Sequence, residues 1–130
     1  NNLLALEAVG TTYPYHIQWD AHRNGATTLY YKGWLPRSGT LSSVKVYMGS
    51  INTVGSYTLN IQNVTTTNSC LSAALDMNTL VASTVTSVAL TATAADLEFA
   101  ADGVWDISLV SDNAGFDGEE VYLDLVFEVS

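Results

Sequence analysis

The sequence predicts an all-β fold: an antiparallel two-sheet sandwich, jelly-roll-like, with about eight strands. Three observations lead to this prediction. Apolar and polar residues alternate with a period of two in most segments, which is the pattern of strands with one buried face. These segments are short, closely spaced and rich in Thr, Val and Tyr. No ten-residue segment has the period of an amphipathic helix.

In chain order, the first predicted strand is YPYHIQW at 13–19, which alternates aromatic and aliphatic residues with polar ones. ATTLYYKGWL at 26–35 follows with a less regular pattern. Its adjacent Tyr30 and Tyr31 must point to opposite faces, so one of them is predicted to face outward. SVKVYM at 43–48 is regular again and predicts a third strand. The residues predicted to point inward from the two regular segments are Tyr13, Tyr15, Ile17, Trp19, Val44, Val46 and Met48.

Five further strands are predicted in SYTLNIQ at 56–62, TLVASTVTSVAL at 79–90, DLEFA at 96–100, VWDISLV at 104–110 and EVYLDLVFEVS at 120–130. The second of these is the least regular. The inward-pointing residues of the other four are predicted to be Tyr57, Leu59, Ile61, Leu97, Phe99, Trp105, Ile107, Leu109, Val121, Leu123, Leu125, Phe127 and Val129. Polar outer faces on most strands imply two sheets, each with one solvated side.

The count of eight strands fits a jelly roll better than a seven-stranded immunoglobulin domain, whose Cys–Trp–Cys pattern is also absent. SCLSAALDM at 69–77 is predicted to form one short helical turn. Residues 12–130 are predicted to be a single β-sandwich domain. Residues 1–11 are either an N-terminal arm or a first strand. This segment carries four apolar residues that are candidates for contact with a partner protein or a neighbouring subunit, namely Leu3, Leu4, Leu6 and Val9.

The charges are unevenly distributed along the 130 residues. Residues 1–65 have a net charge of +2, whereas residues 66–130 carry eleven acids and no base, and the chain has a formal net charge of −9. Phosphate backbones are bound by clustered Lys and Arg, so we expect no nucleic-acid partner. No apolar run reaches the ~20 residues of a membrane-spanning helix, so we expect no membrane partner.

The acidic stretch SDNAGFDGEE at 111–120 is predicted to be the loop between the last two strands. Gly115 and Gly118 supply residues that tolerate a positive φ in a turn. Calcium binding is the alternative, since Asp side chains and backbone oxygens are calcium ligands, but the acids here miss the register of an EF-hand loop. We therefore predict a turn and no metal.

No motif in the sequence assigns catalytic chemistry, and the protein is predicted not to be an enzyme. His16 lies on the polar face of the first strand, and His22 lies in the turn after it. Cys70 has no base near it in sequence and is predicted to be buried or in a loop. Acidic residues such as Asp96 and Glu98 are predicted to be solvated. A nucleophile elbow, a P-loop, a dinucleotide fingerprint and zinc-ligand spacing are all absent, so no catalytic residue or cofactor is predicted.

Eight of the thirteen aromatic residues lie within the first 57 positions. Aromatic side chains in strands ordinarily pack against neighbouring strands. An outward tyrosine, such as Tyr47 on the same face as Lys45, can instead stack on a sugar ring. The alternative function is therefore a carbohydrate- or receptor-binding module.

Three segments of this chain carry a resemblance to known proteins: YYKGWLPRSGTLSSVKVYMGS at 30–50, GSYTLNIQ at 55–62 and GEEVYLDLVFEV at 118–129. In these segments the chain resembles small β-sandwich virion proteins of tailed bacteriophages. That group includes capsid decoration (cement) proteins and fibre-tip modules. The resemblance spans most of residues 25–130 and concerns the style and order of the strands, with no catalytic or ligand motif. It implies a virion structural protein, and it transfers no site residues.

The predicted function is accordingly that of a non-enzymatic capsid decoration protein, which binds and stabilises the outer shell of a phage head. Its predicted partners are the major capsid protein and further copies of itself in a homotrimer, because linked copies strengthen several small contacts at once. Its predicted location is the outer capsid surface of the virion. The alternative places the carbohydrate- or receptor-binding module at a tail-fibre tip.

Overall fold

The computed structural model describes residues 12–21, 28–51, 56–111 and 120–130. These residues form ten β-strands and two 3₁₀-helical turns, at Met77–Thr79 and Ala94–Asp96. The strands are β1 (Tyr13–Asp20), β2 (Thr28–Trp34), β3 (Gly39–Met48), β4 (Tyr57–Asn63), β5 (Asn68–Ser69), β6 (Leu75–Asp76), β7 (Thr84–Ser87), β8 (Glu98–Phe99), β9 (Val104–Ser111) and β10 (Val121–Val129). Within the described ranges, no helix is long and apolar enough to span a membrane.

The strands form two antiparallel sheets of five strands each. The first sheet has the order β1-β10-β3-β7, and β8 also pairs with β3. The second has the order β2-β9-β4-β5, and β6 also pairs with β4. The first four strands therefore alternate between the two sheets, as do β9 and β10, and both sheets contribute side chains to one hydrophobic core.

Four of the ten strands form two pairs, and the members of each pair lie one after the other along the same edge of a long strand. β7 pairs with the end of β3 at Lys45–Met48, and β8 pairs with its beginning at Gly39–Thr40, along the same edge. β5 and β6 share an edge of β4 in the same way. Counting each pair as one interrupted strand gives eight strands, four in each sheet, in the order 1-8-3-6 facing 2-7-4-5. This is the strand order of a jelly roll and confirms the predicted fold class.

Buried residues occur at every second position of the long strands β4, β9 and β10, as the sequence pattern predicts. In β10 the odd-numbered residues Val121–Val129 are all buried, and the residues between them are half-buried or exposed. β4 and β9 follow the same rule, with Ile61 and Ile107 fully buried at positions paired across the two strands. Burying each such side chain contributes about 1.5–3 kcal/mol. The inward faces predicted for these strands are confirmed.

A β-bulge shifts the alternation within β3. Val126 of β10 pairs with Ser43 and Phe127 pairs with Leu41, so Ser42 is the extra residue. The hydroxyl of Ser42 donates a hydrogen bond to the carbonyl of Val126 at 3.0 Å. The bulge brings odd-numbered Leu41 and even-numbered Val44 to the same buried side.

Aromatic side chains join the two sheets at one side of the core. The Tyr31 ring lies 5.3 Å from the Trp19 ring and 5.0 Å from the Trp105 ring, measured between centroids. Tyr31 is therefore the inward member of the Tyr30–Tyr31 pair, and Tyr30 faces solvent, as the sequence predicted. Gly33 leaves room for the indole, because a Cβ there would lie 2.4 Å from Trp105 Cζ2.

Three predictions about local structure are wrong in detail. The segment 79–90 forms a strand only at Thr84–Ser87. The helical turn predicted within 69–77 occurs at Met77–Thr79, after two-residue strands that pair with β4. Asp96 lies in a 3₁₀ turn rather than on a solvated strand face, and it is buried, with 6% of its surface exposed.

Candidate functional site

Several residues singled out in the sequence lie outside the described part of the chain. The candidate contact residues Leu3, Leu4, Leu6 and Val9 belong to this group, as do His22 and the loop residues 112–119. The described candidates lie on the two outer faces of the sandwich and in one buried polar cluster.

His16 is exposed on the outer face of β1, as predicted, and contacts a carboxylate on the neighbouring strand. Its Nδ1 lies 3.0 Å from Oδ1 and 3.2 Å from Oδ2 of Asp124 in β10. Half of the imidazole side-chain surface is exposed. An ion pair this accessible contributes little to stability, so we assign His16 no role beyond linking β1 to β10.

An open groove of about 680 Å³ crosses the outer face of the first sheet. Its lining comes from four adjacent strands and consists of Gln18, Trp19, Asp20, Lys45, Val46, Tyr47, Val85, Tyr122, Leu123 and Asp124. The strand pairing explains this convergence, because Tyr122 pairs with both Asp20 and Tyr47, and Tyr47 pairs with Val85. We call these lining residues the first-sheet groove.

Two tyrosines form the aromatic part of the first-sheet groove. The ring centroids of Tyr47 and Tyr122 are 5.9 Å apart, with an angle of 45° between the ring planes. Tyr122 keeps 44% of its surface exposed, and Val85, which pairs with Tyr47, keeps 61%. Asp20 and, to a smaller extent, Glu120 raise the pKa of the Tyr122 phenol, because their charges disfavour a phenolate. The potential at this ring is therefore negative.

The outer face of the second sheet carries a different exposed surface. Trp34 at the end of β2 pairs with Val104, and the amide of Val64 donates a hydrogen bond to the Val104 carbonyl at 3.1 Å. These three residues, which we call the Trp34 row, thus lie side by side across the sheet. Trp34 is 64% exposed and Val64 is 38% exposed. Exposed tryptophans on apolar surfaces are typical of contact sites for other proteins.

A buried polar cluster lies at the end of β4. The Asn63 amide donates hydrogen bonds to the carbonyls of Asp96 and Glu98, and its Oδ1 accepts from the amides of Thr65 and Thr66. Asn63 thereby fixes the turn after β4 against the segment before β8. We regard the cluster as structural, since its side-chain hydrogen bonds close loops of the fold.

Asp96 corrects the prediction that this carboxylate is solvated. Its Oδ1 accepts a hydrogen bond from Asn68 at 3.2 Å, and its carbonyl accepts one from the Cys70 thiol at 3.4 Å. Cys70 is fully buried, as predicted. Burial and, to a smaller extent, the charge of Asp96 raise the pKa of this thiol to about 12. Since the thiolate is the nucleophilic form, Cys70 is inert at neutral pH.

Over the described ranges, no group of three or more His, Cys, Asp or Glu side chains is placed to hold a metal ion. The first-sheet groove combines aromatic rings with polar side chains, and the Trp34 row is an apolar strip.

A protein of a phage capsid shares this architecture. One chain of the structure described as the cyanophage Pam1 capsid asymmetric unit superposes with a TM-score of 0.51 and 10% sequence identity. The match covers 92% of the present chain and 84% of the capsid chain. At this identity the likeness concerns the fold. It agrees, at that level, with the resemblance to phage virion proteins. No protein-family model and no curated protein sequence matches the chain.

Two features of these surfaces were missed in the sequence. Tyr122 follows Val121 in a strand with strict alternation, so its outward orientation could be predicted from the sequence. Its pairing with Tyr47 could not, because it depends on the order of the strands in the sheet. The Trp34 row is assembled from three separate segments. The sequence did predict that Tyr47 shares the outer face of Lys45, and the structure places both residues in the first-sheet groove.

Proposed function

We propose that this chain is a virion structural protein and, within that class, a non-enzymatic capsid decoration protein on the outer shell of a phage head. The supporting observation is the shared jelly-roll architecture with a phage capsid chain over nearly the whole length of both proteins. A fold alone does not determine function. The surface supplies the second argument.

A decoration protein has to attach to an assembled shell while its opposite side stays soluble. The Trp34 row offers an apolar contact on one sheet, and Trp34 is the type of residue that dominates binding energy at protein interfaces. The net charge of −9 keeps the remaining surface soluble. We therefore assign the Trp34 row to contact with the major capsid protein.

Self-association is the second part of the proposal. One small contact per copy gives weak attachment, whereas linked copies bind later contacts at an effective concentration in the millimolar range. A homotrimer at a threefold position of the shell achieves this. Leu3, Leu4, Leu6 and Val9 are the candidate subunit or shell contacts, through burial of their apolar side chains.

The test is co-sedimentation of the purified protein with expanded, undecorated heads of the phage that carries its gene. We expect saturable binding, and we expect Trp34→Ala to weaken it by about thirtyfold or more, since an interface hot spot contributes about 2 kcal/mol or more. Val85→Ala is the matched control, because Val85 is 61% exposed but lies on the opposite sheet. Absence of binding by the unmodified protein, or equal binding by both variants, would refute the assignment.

A further inference from the structure

The first-sheet groove is separate from the surfaces used in the proposed function. It lies on the sheet that contains β1, β10, β3 and β7, whereas the Trp34 row lies on the other sheet. Its polar side chains have capacity for a ligand. The side chains of Gln18, Asp20 and Lys45 form no hydrogen bond or ion pair with any residue in the described part of the chain, although their backbones pair with neighbouring strands.

The shape and the groups of the groove fit a small polar ring. Its volume of about 680 Å³ falls within the range of small-molecule sites. Tyr122 lines the groove and keeps 44% of its surface exposed. The same lining contains the amide of Gln18, the carboxylate of Asp20 and the ammonium group of Lys45, which together both donate and accept hydrogen bonds. Sugar hydroxyls need both kinds of partner, while the C–H face of a pyranose packs on an aromatic ring.

The charges at the groove select among sugars. Asp20, Asp124 and the neighbouring Glu120 are acidic, and Lys45 is the only basic residue that lines it. The raised pKa of Tyr122 reports the same negative potential. This negative charge therefore weakens the binding of an acidic sugar, whereas it does not affect the affinity for a neutral sugar.

We propose that the first-sheet groove binds a neutral pyranose, which stacks on Tyr122 and is held through its hydroxyls by Gln18, Asp20 and Lys45. The groove is open on one side, so the ligand can be one residue within a longer polysaccharide. This inference does not depend on attachment to a capsid, and it holds or fails separately from the decoration role.

The test is an NMR titration of the backbone amides with five probes. Four are neutral, the methyl glycosides of glucose, galactose, mannose and N-acetylglucosamine, and the fifth is the anionic methyl glucuronide. We expect at least one neutral glycoside to shift the amides around Tyr47 and Tyr122 in a saturable manner, with a millimolar Kd. The glucuronide should bind more weakly than its neutral counterpart, methyl glucoside.

Variants then assign the binding to the groove. Tyr122→Ala should lower the affinity about two- to tenfold, which corresponds to the contribution of about 0.5–1.5 kcal/mol from aromatic contacts of this kind. Tyr30→Ala removes an exposed tyrosine from the opposite sheet and should leave binding unchanged. Asp20→Asn tests the polar contacts in a second variant, and unchanged melting of each variant establishes that it is folded.

Three results would overturn the inference. The first is the absence of saturable shifts with all four neutral glycosides. The second is binding that Tyr122→Ala and Asp20→Asn both leave unchanged. The third is a response to an oligolysine peptide but to none of the sugars, which would assign the groove to a basic protein partner.

Discussion

At the scale of single residues, the sequence did not predict the burial of Asp96, whereas its prediction for Cys70 agrees with the structure. Asp96 looked solvated because Glu98 follows it at the spacing of a strand face. The chain instead forms a 3₁₀ turn there, and Asn68 and Cys70 both contact Asp96. Those partners lie more than twenty residues away along the chain, so no local pattern predicts them. For Cys70, by contrast, the lack of a base nearby in sequence predicted a buried or loop position, and the residue is fully buried.

The Cys70 thiol gives a prediction about pH. Its pKa rises from the ordinary 9.0 to about 12 in the folded chain, so folding favours the neutral thiol. The stability from this group is complete below pH 9.0 and is lost as the pH rises toward 12. Denaturant midpoints measured from pH 8 to 11 should therefore fall more steeply for the unmodified protein than for Cys70→Ala. Parallel curves for the two proteins would contradict the assignment.

At the scale of the elements, strands with strict alternation were predicted well and interrupted strands were not. β10 buries every second residue along its length, so its register could be read directly. β3 changes phase at Ser42, which becomes interpretable only when β10 is known to lie beside it. Two-residue strands such as β5 and β6 are too short to show any period and exist because β4 offers them an edge.

The register of β10 can be tested by a matched pair of neighbours. Phe127 is fully buried and packs edge-on against Phe99, with 5.3 Å between ring centroids. Phe127→Ala should lower the free energy of unfolding by about 3–5 kcal/mol through loss of burial and the cavity that remains. Glu128→Ala, on the outer face, should change it little. Equal effects of the two substitutions, measured by urea denaturation, would show that the register is wrong. Trp105→Ala should resemble Phe127→Ala, since Trp105 is also buried.

The acidic segment 111–120 remains a prediction from sequence, because residues 112–119 lie outside the described ranges. If it is a turn without a metal, EDTA should leave the melting temperature unchanged. Calcium at 100 times its Kd would instead add ~2.7 kcal/mol to the stability of the folded state. A rise of several degrees on addition of millimolar calcium would establish a site.

At the scale of the whole molecule, composition and alternation were sufficient for the fold class but not for the strand order. A sandwich of about eight strands follows from outward polar faces and closely spaced segments. The jelly-roll order depends on pairs such as β1 with β10, at opposite ends of the chain, and no periodicity encodes them. The groove and the Trp34 row both result from that order. Surface sites made of several strands were therefore beyond the reach of the sequence.

Deletion of residues 1–10 tests the assignment of the N-terminal segment. The sandwich has β1 at Tyr13–Asp20 as its first described strand, and the described residues from β1 onward already form a continuous hydrophobic core. We expect the shortened protein to melt at the same temperature and to lose affinity for heads or for its own copies, as measured by co-sedimentation and light scattering. Unfolding on deletion would mean that Leu3, Leu4, Leu6 and Val9 belong to the core.

The decoration role is tested most directly by cryo-electron microscopy of expanded, undecorated heads incubated with the purified protein. Reconstructions with and without the protein should differ by density on the outer surface. We expect three sandwich-sized lobes around each threefold or quasi-threefold position, with the sheet that carries the Trp34 row toward the shell. Identical reconstructions at saturating protein, or density of this protein found at the tail tip of the mature virion instead, would contradict the account.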